Sequence, residues 1–164
     1  MEYDLNWRTN YKEMVSTAKR AVKQIRSGQR VFVATGCAEP TELINAMIRR
    51  AGDLADVEIV QLFTKGVAPY AEPRFANSFR INSFFISQNV RATVRKGLGS
   101  YTPILLSNVP HLFNSGQLPI DVALIQVTPP NTEGKVSLGI SVDIVSSAID
   151  NASLIIAQVN PQMP

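Results

Sequence analysis

Residues 121–143 read DVALIQVTPPNTEGKVSLGISVD, and this stretch decides the fold. Its first part, residues 122–127, is an almost continuous apolar run, which is typical of one buried strand in a parallel sheet. Pro129 and Pro130 cannot donate to a strand ladder, and residues 131–134 have turn chemistry, so the strand ends in an irregular loop. Ligands of open α/β sheets collect at the carboxyl ends of strands, which makes this loop a candidate binding site.

Helical and strand patterns alternate along the rest of the chain. We predict helices over residues 11–25, 40–51, 87–96, 108–114 and 143–151, and strands over residues 31–35, 57–63, 79–86, 103–106, 122–127 and 153–159. This alternation predicts one α/β domain with a mainly parallel sheet and helices on both faces. The last strand is apolar enough to need cover on both faces, so we expect the chain to belong to a larger assembly.

The overall composition excludes several classes of protein. The 45% of hydrophobic residues describes an ordinary globular chain, and the 16 Lys and Arg residues never form a run, which disfavours a nucleic-acid partner. No stretch approaches the 18 apolar residues of a membrane span. One cysteine, Cys37, excludes an internal disulfide and suits a reducing compartment, so we expect a cytoplasmic protein.

The first candidate site follows the predicted strand at 31–35, where a flexible glycine precedes the start of a helix. Backbone amides there would favour a carboxylate, a thioester oxygen or a phosphate, although an ordinary β-to-α turn explains the same residues. Its acidic residue could act as a general base, but a carboxylate at a helix start more often caps the helix. The residues of this candidate site are Gly36, Cys37, Ala38, Glu39 and Pro40.

The second candidate site is the loop after the strand at 122–127, together with the small residues beyond it that allow a close backbone approach. A plain turn is the alternative explanation. The residues of this site are Thr128, Pro129, Pro130, Asn131, Gly134, Ser137 and Gly139.

Other chemistry has little support in the sequence. Cys37 and the single histidine, His111, are a possible nucleophile and base by count alone, without a supporting pattern. No spacing of Cys, His or carboxylates indicates a metal site. Arg91 and Arg95 share a predicted helix face that either meets an anion or is simply solvated. We therefore predict neither a metal nor a catalytic residue in this chain.

Three segments carry a resemblance to a known family. The run at 121–143, the segment GCAEP at 36–40 and the closing AQVNPQMP resemble the acetyl-CoA hydrolase/transferase family, which includes acetate and 4-hydroxybutyrate CoA-transferases. The resemblance extends from about residue 11 to residue 164 and concerns only the N-terminal domain of that family. It implies that residues 1–164 are this domain and that a C-terminal catalytic domain is its partner.

The family works by covalent catalysis, in which a glutamate attacks the acyl-CoA and becomes a glutamyl-CoA thioester. The resemblance places that glutamate in the C-terminal domain, so this chain alone is expected to be inactive and to contribute one wall of the substrate cleft through both candidate sites. The implied ligands are an acyl-CoA and a short-chain carboxylate such as acetate or 4-hydroxybutyrate, or water in a hydrolase. Coenzyme A is then a substrate, no cofactor is tightly bound, and the full-length protein is a homo-oligomer.

Two residues depart from the family pattern. An aspartate is usual at the position of Asn131, and a basic residue is usual where Leu98 stands. The first change removes a negative charge, which matters if that charge orients a substrate but not if it only caps a turn. A non-catalytic α/β module that binds a carboxylated or phosphorylated metabolite, or that serves as a dimerisation subunit, remains the alternative function.

Overall fold

The computed structural model describes residues 3–163, in which six parallel strands form one sheet. In chain order the strands are β1 Arg30–Val33, β2 Val57–Gln61, β3 Phe79–Ser83, β4 Gly99–Tyr101, β5 Ile120–Val127 and β6 Ala152–Val159. Their order across the sheet is β4-β3-β2-β1-β5-β6. The predicted α/β fold with a parallel sheet is confirmed, and the sheet contains no antiparallel pair of these strands.

Short helices connect the strands and pack on both faces of the sheet. They are α1 Trp7–Asn10, α2 Ala18–Ala21, α3 Thr41–Ile48, α4 Gln88–Arg95, α5 Val109–Asn114 and α6 Val145–Asn151, with single 3-10 turns at Val22–Gln24, Ala51–Asp53, Pro69–Ala71, Pro73–Phe75 and Leu106–Asn108. Within residues 3–163, none of these helices has both the length and the apolar character needed to cross a membrane.

Strand β5 lies inside the sheet because nearly all its residues are apolar and can be buried on both faces. It pairs with β1 through Val122, Ala123 and Leu124 and with β6 along almost its whole length. Its side chains alternate between two cores. One core lies on the α2, α3 and α4 side and contains Leu124, and the other lies on the α5 and α6 side and contains Ala123.

The prediction of one continuous helix over residues 11–25 is wrong. Helix α1 ends at Asn10, the chain turns at 11–14, and the Thr17 side chain accepts a hydrogen bond from the Arg20 amide at 3.3 Å to cap the new helix α2. The side chain of Asn10, at the end of α1, donates to Asp4 Oδ2 at 2.8 Å. Threonine is favoured at the N-cap because its side chain accepts a hydrogen bond from an amide of the first turn. Thr17 therefore starts a new helix, and the segment forms two short helices instead of one long one.

Two strand predictions also need correction. The strand predicted at 103–106 is absent, and Gly99–Tyr101 pairs with β3 instead, because Pro103 has no N–H for a ladder. Strand β6 is an edge strand rather than a central one, and Ile155 on it is 45% exposed. The predicted burial of β6 on both faces is therefore incomplete in the residues that the structure describes.

Adjacent phenylalanines after β3 provide a test of this packing. Phe84 is 1% exposed and stacks against Phe113 with ring centroids 6.2 Å apart, whereas Phe85 is 46% exposed. We expect Phe84→Ala to lower the free energy of unfolding by about 3–5 kcal/mol through loss of core packing. Phe85→Ala, the matched control, should cost less than about 1 kcal/mol. Urea unfolding measures both, and similar losses would contradict this placement of the core.

Candidate functional site

All six strands point the same way, so the loops that follow them meet at one side of the sheet, here called the carboxyl edge. It consists of residues 34–40, 62–67, 84–87, 102–105 and 128–143. The chain proceeds from β1 to one side of the sheet and later returns to β5 on its other side. The point between β1 and β5 is therefore the topological switch point, where ligands of such sheets bind, and the two predicted sites flank it.

The amides of the loop after β1 are largely engaged within the chain. The Gly36 amide donates to the Phe63 carbonyl at 2.9 Å, the Cys37 amide donates to Ser141 Oγ at 3.1 Å, and the Ala38 amide donates to the Thr35 carbonyl at 3.1 Å. These three donors are already paired and are not free to bind an anion. The Cys37 thiol is exposed, and no bond in the described structure links it to His111 on α5.

The start of α3 is completed by a side chain from β6. Pro40 is the N-cap residue, and the Glu42 amide donates to Gln158 Oε1 at 2.9 Å. Gln158 is oriented by Gln126, since its Nε2 donates to Gln126 Oε1 at 3.0 Å. The Glu42 amide in the first turn thus has a protein partner, and the expectation that the Glu39 side chain caps this helix is wrong.

Glu39 reaches across the carboxyl edge to the loop after β2. Its side chain is only 7% exposed and accepts hydrogen bonds from the Lys65 amide at 2.6 Å and the Gly66 amide at 3.2 Å. Burial raises the pKa of this carboxyl group, although the two amide bonds act in the opposite direction. Gly66 permits the contact, because a Cβ there would lie 2.6 Å from Glu39 Oε2.

A buried polar network supports the loop that Glu39 holds. Gln61 Oε1 accepts from Thr64 Oγ1 and from the Tyr70 hydroxyl, both at 2.6 Å, and Gln61 Nε2 donates to Ser83 at 3.3 Å. Burial raises the pKa of Tyr70, so its hydroxyl remains a donor. Every member has a partner, which makes the network a rigid support. The sequence analysis did not identify it.

The loop after β5 is folded on itself. The Ser137 amide donates to Thr128 Oγ1 at 2.9 Å, and the Thr128 amide donates to the Ser137 carbonyl at 3.0 Å. Asn131 Oδ1 accepts from the Glu133 amide at 3.0 Å and the Lys135 amide at 2.8 Å, so it organises the turn. A carboxylate oxygen would accept the same two bonds, and asparagine at 131 therefore preserves the turn.

The N-terminal segment covers part of this loop. Tyr3 forms a β-bridge with Asn131, and the Asp4 amide donates to the Pro130 carbonyl at 2.9 Å. A Cβ at Gly134 would lie 2.5 Å from the Tyr11 hydroxyl oxygen. The buried prolines at 129–130 and the turn beyond them therefore serve packing against residues 3–11.

Two residues outside the predicted sites join the loops after β1 and β5. Thr35 Oγ1 donates a short hydrogen bond to Asp143 Oδ2, and Ser141 accepts from Cys37. Asp143 also accepts from the Ile144 amide at 2.5 Å and has a positive φ of 22°. The structure thus brings Gly36 and Cys37 together with Ser141 and Asp143. The partners are more than 100 residues apart, and no local sequence signal indicates the pairing.

Leu98 lies away from the carboxyl edge. It follows the C-terminal end of α4, which runs back from the end of β3 to the start of β4, and its amide donates to the Thr93 carbonyl. The absence of a basic residue at 98 is therefore remote from the loops of the candidate site.

A groove of about 810 Å³ lies between the N-terminal segment and the exposed edge of β6. None of the twelve predicted site residues lines it. Among residues 3–163, no three Cys, His or acidic side chains gather in a way that could hold a metal ion. The residues that line the groove are Trp7, Arg8, Met14, Val15, Ser16, Thr17, Ala18, Ala21, Gln24, Glu42, Leu43, Ile155, Ile156, Ala157, Gln158 and Val159.

This parallel sheet, with a structured loop set at the switch point, defines an α/β domain with a candidate ligand site at its carboxyl edge. The acetyl-CoA hydrolase/transferase N-terminal domain matches residues 1–164, and the chain belongs to that family. The predicted family is confirmed.

Curated relatives and a solved structure agree with this assignment. The chain is 38% identical over 160 residues to the 4-hydroxybutyrate coenzyme A transferase of Clostridium kluyveri, covering 98% of this chain and 37% of that protein. It is 39% identical to a succinyl-CoA:acetate/propanoyl-CoA:succinate CoA transferase of Fasciola hepatica, covering 85% of this chain and 29% of that protein. The crystal structure of RipA from Yersinia pestis superposes with a TM-score of 0.89 at 28% identity, over 98% of this chain and 39% of that one. The chain therefore spans well under half the length of these relatives.

Gly139 tests the packing of the loop after β5. Its φ is +70°, and a Cβ there would lie 2.2 Å from Met163 Sδ. We expect Gly139→Ala to lower the free energy of unfolding by about 1–3 kcal/mol. Gly28→Ala is the matched control, because its φ is +77° but nothing lies within 4 Å. The difference between the two variants in urea unfolding isolates the Met163 contact, and equal losses would contradict it.

Glu39 makes stability depend on pH. Because burial raises its folded-state pKa above 4.5, the folded chain binds the proton more tightly than the unfolded chain does. That contribution is fully present below pH 4.5 and is lost as pH rises through the raised pKa. Glu39→Gln removes the titration. We therefore expect the free energy of unfolding of the wild type, relative to this variant, to fall as pH rises above 4.5. Urea unfolding at several pH values measures the difference, and a pH-independent difference would contradict the raised pKa.

Proposed function

We propose that this chain forms one wall of the substrate cleft of a CoA-transferase. The enzyme moves CoA between an acyl-CoA and a short-chain carboxylate such as acetate or 4-hydroxybutyrate. Membership of the family supports the reaction class. The names of the relatives from Clostridium kluyveri and Fasciola hepatica, both of them CoA transferases, support the kind of substrate.

The observation that carries this proposal is the apolar character of the carboxyl edge. Of the fourteen exposed large hydrophobic side chains in the described residues, nine lie in the loops of this edge, at the last position of β4 or in the 3-10 turn Leu106–Asn108 that follows it. Exposed apolar side chains gathered at one edge of a sheet are typical of an interaction site. We propose that the C-terminal domain covers it and closes the cleft. The nine residues are Phe63, Val67, Phe85, Tyr101, Leu105, Leu106, Val136, Ile140 and Val142.

The covalent chemistry in this proposal belongs to the C-terminal domain. A glutamate there attacks the acyl-CoA carbonyl and expels the CoA thiolate, which leaves an acyl-glutamyl anhydride. The thiolate attacks the glutamyl carbonyl of this anhydride, which forms a glutamyl-CoA thioester and releases the first carboxylate. The acceptor carboxylate then expels the thiolate from the thioester, and the thiolate attacks the acceptor's acyl carbonyl to give the new acyl-CoA and free glutamate. Glu39 is the one buried acidic residue in the part of the chain that the structure describes, and its carboxylate is engaged by two amides. We therefore assign this wall the tasks of orienting the substrate and excluding water.

The remaining features of the proposal concern the whole protein. Coenzyme A acts as a substrate rather than as a resident cofactor, and the full-length protein assembles as a homo-oligomer. We place the reaction in the cytoplasm, because a single exposed cysteine suits a reducing compartment.

The purified polypeptide of residues 1–164 should show no CoA transfer. We expect the rate to equal that of buffer alone, both with acetyl-CoA and 4-hydroxybutyrate and with butyryl-CoA and acetate. The reason is that no glutamate in this chain matches the sequence motif of the catalytic glutamate. Exchange is followed by chromatography of the CoA esters, with the Clostridium kluyveri enzyme as positive control. Transfer above the buffer rate by the isolated polypeptide would overturn the proposal.

A further inference from the structure

Lys65 lies at the centre of the carboxyl edge, in the loop that follows β2. The preceding residue, Thr64, forms a parallel β-bridge with Gly36 in the loop after β1. This position is one strand away from the switch point between β1 and β5, and Lys65 belongs to neither of the segments predicted as sites. The Lys65 side chain is exposed at the same edge of the sheet as the switch point.

The backbone around Lys65 is held from two directions. On one side the buried carboxylate of Glu39 accepts from the Lys65 and Gly66 amides. On the other side Asn89 Nδ2, in the first turn of α4, donates to the Thr64 carbonyl at 3.2 Å and to the Gly66 carbonyl. The amides of Lys65 and Gly66 therefore bond to Glu39, and the carbonyls of Thr64 and Gly66 bond to Asn89. Side chains from two neighbouring elements thus fix the position of this loop.

The side chain of Lys65 is not used within the chain. It is exposed, and in the described range no carboxylate oxygen lies within 4.0 Å of its ammonium group. Lys135, the basic residue of the loop after β5, is by contrast paired with Glu133 at 2.7 Å. Exposed Phe63 and Val67 lie two residues before and two residues after Lys65 in sequence.

Burial of a carboxylate is unfavourable unless the group makes compensating contacts. For Glu39 these contacts are the hydrogen bonds from the Lys65 and Gly66 amides, which also fix the backbone of this short loop. A rigid backbone that carries an unpaired cation is preorganised to bind an anion, because little conformational freedom is lost when the ligand arrives.

We propose that the Lys65 ammonium binds an anionic oxygen group of the substrate, either the carboxylate of the acid or a phosphate of CoA. Glu39 and Asn89 act as positioning residues for it. This inference rests on the proposed function, since it assigns a ligand contact within the same cleft. Lysine is suited to either group as a compact charge with three donors.

The test is an NMR titration of the isotope-labelled polypeptide at constant ionic strength. Sodium acetate supplies the carboxylate, and adenosine 3′,5′-bisphosphate supplies the phosphates of CoA. We expect a saturable shift of the Lys65 and Gly66 amides with one of the two probes, which identifies the source of the anion. Lys65→Met should weaken that binding about five-fold, the upper range for an exposed ion pair.

Lys96→Met is the matched control, because Lys96 is also exposed but follows α4 at the opposite edge of the sheet. It should leave the affinity unchanged. The proposal is overturned if neither probe gives a saturable shift, or if Lys65→Met binds as tightly as the wild type.

A second variant separates positioning from simple stabilisation. Glu39→Gln should speed hydrogen exchange of the Lys65 and Gly66 amides and weaken anion binding, while the rest of the amide spectrum stays that of the folded protein. Faster exchange with unchanged anion affinity would refute the positioning role of Glu39.

The failure of this inference can be distinguished from the failure of the proposed function. If Lys65→Met binds like the wild type while the isolated polypeptide shows no CoA transfer, the anion site fails and the cleft-wall proposal stands. If Lys65 binds the anion while the isolated polypeptide transfers CoA, the anion site stands and the proposal of a separate catalytic domain fails.

Discussion

The parallel alignment of six strands is the constraint on which the rest of this structure depends. Because every strand points the same way, the segments after β1, β2 and β5 are brought to one edge although they are widely separated in sequence. Strand β5 fixes this arrangement by pairing on both sides, with β1 and with β6. Its apolar residues require cover on both faces, and this requirement places helices on both sides of the sheet.

At the carboxyl edge, most backbone N–H groups that could donate to a bound anion instead form hydrogen bonds within the chain. Ser141 Oγ accepts a hydrogen bond from the Cys37 amide, and Gln158 Oε1 accepts one from the Glu42 amide in the first turn of α3. Glu39 holds the amides of Lys65 and Gly66. In the proposed cleft, recognition by this chain would therefore depend on side chains and apolar surface presented by rigid loops, rather than on an open set of amides. Such a wall can orient a substrate for chemistry performed by groups on a facing domain.

The sequence predicts the elements whose signal is local. The apolar runs of β2 and β5 and the short helix α5 lie close to their predicted positions, since hydrophobic periodicity records burial directly. The helix at 11–25 failed because Thr17 starts a new helix that periodicity alone cannot detect. The Thr35–Asp143 and Glu39–Lys65 pairs depend on contacts made only after the sheet has formed, so the sequence indicates candidate segments at 36–40 and 128–139 but not these pairs.

The most direct test of the central claim, that this chain is one wall of a two-domain cleft, is to read the coding sequence beyond the codon for Pro164. The account predicts that the frame continues into a second α/β domain that carries a glutamate and glycine-rich loops. A stop codon after Pro164, with no gene for such a domain beside it, would contradict the account and would favour a non-catalytic binding module.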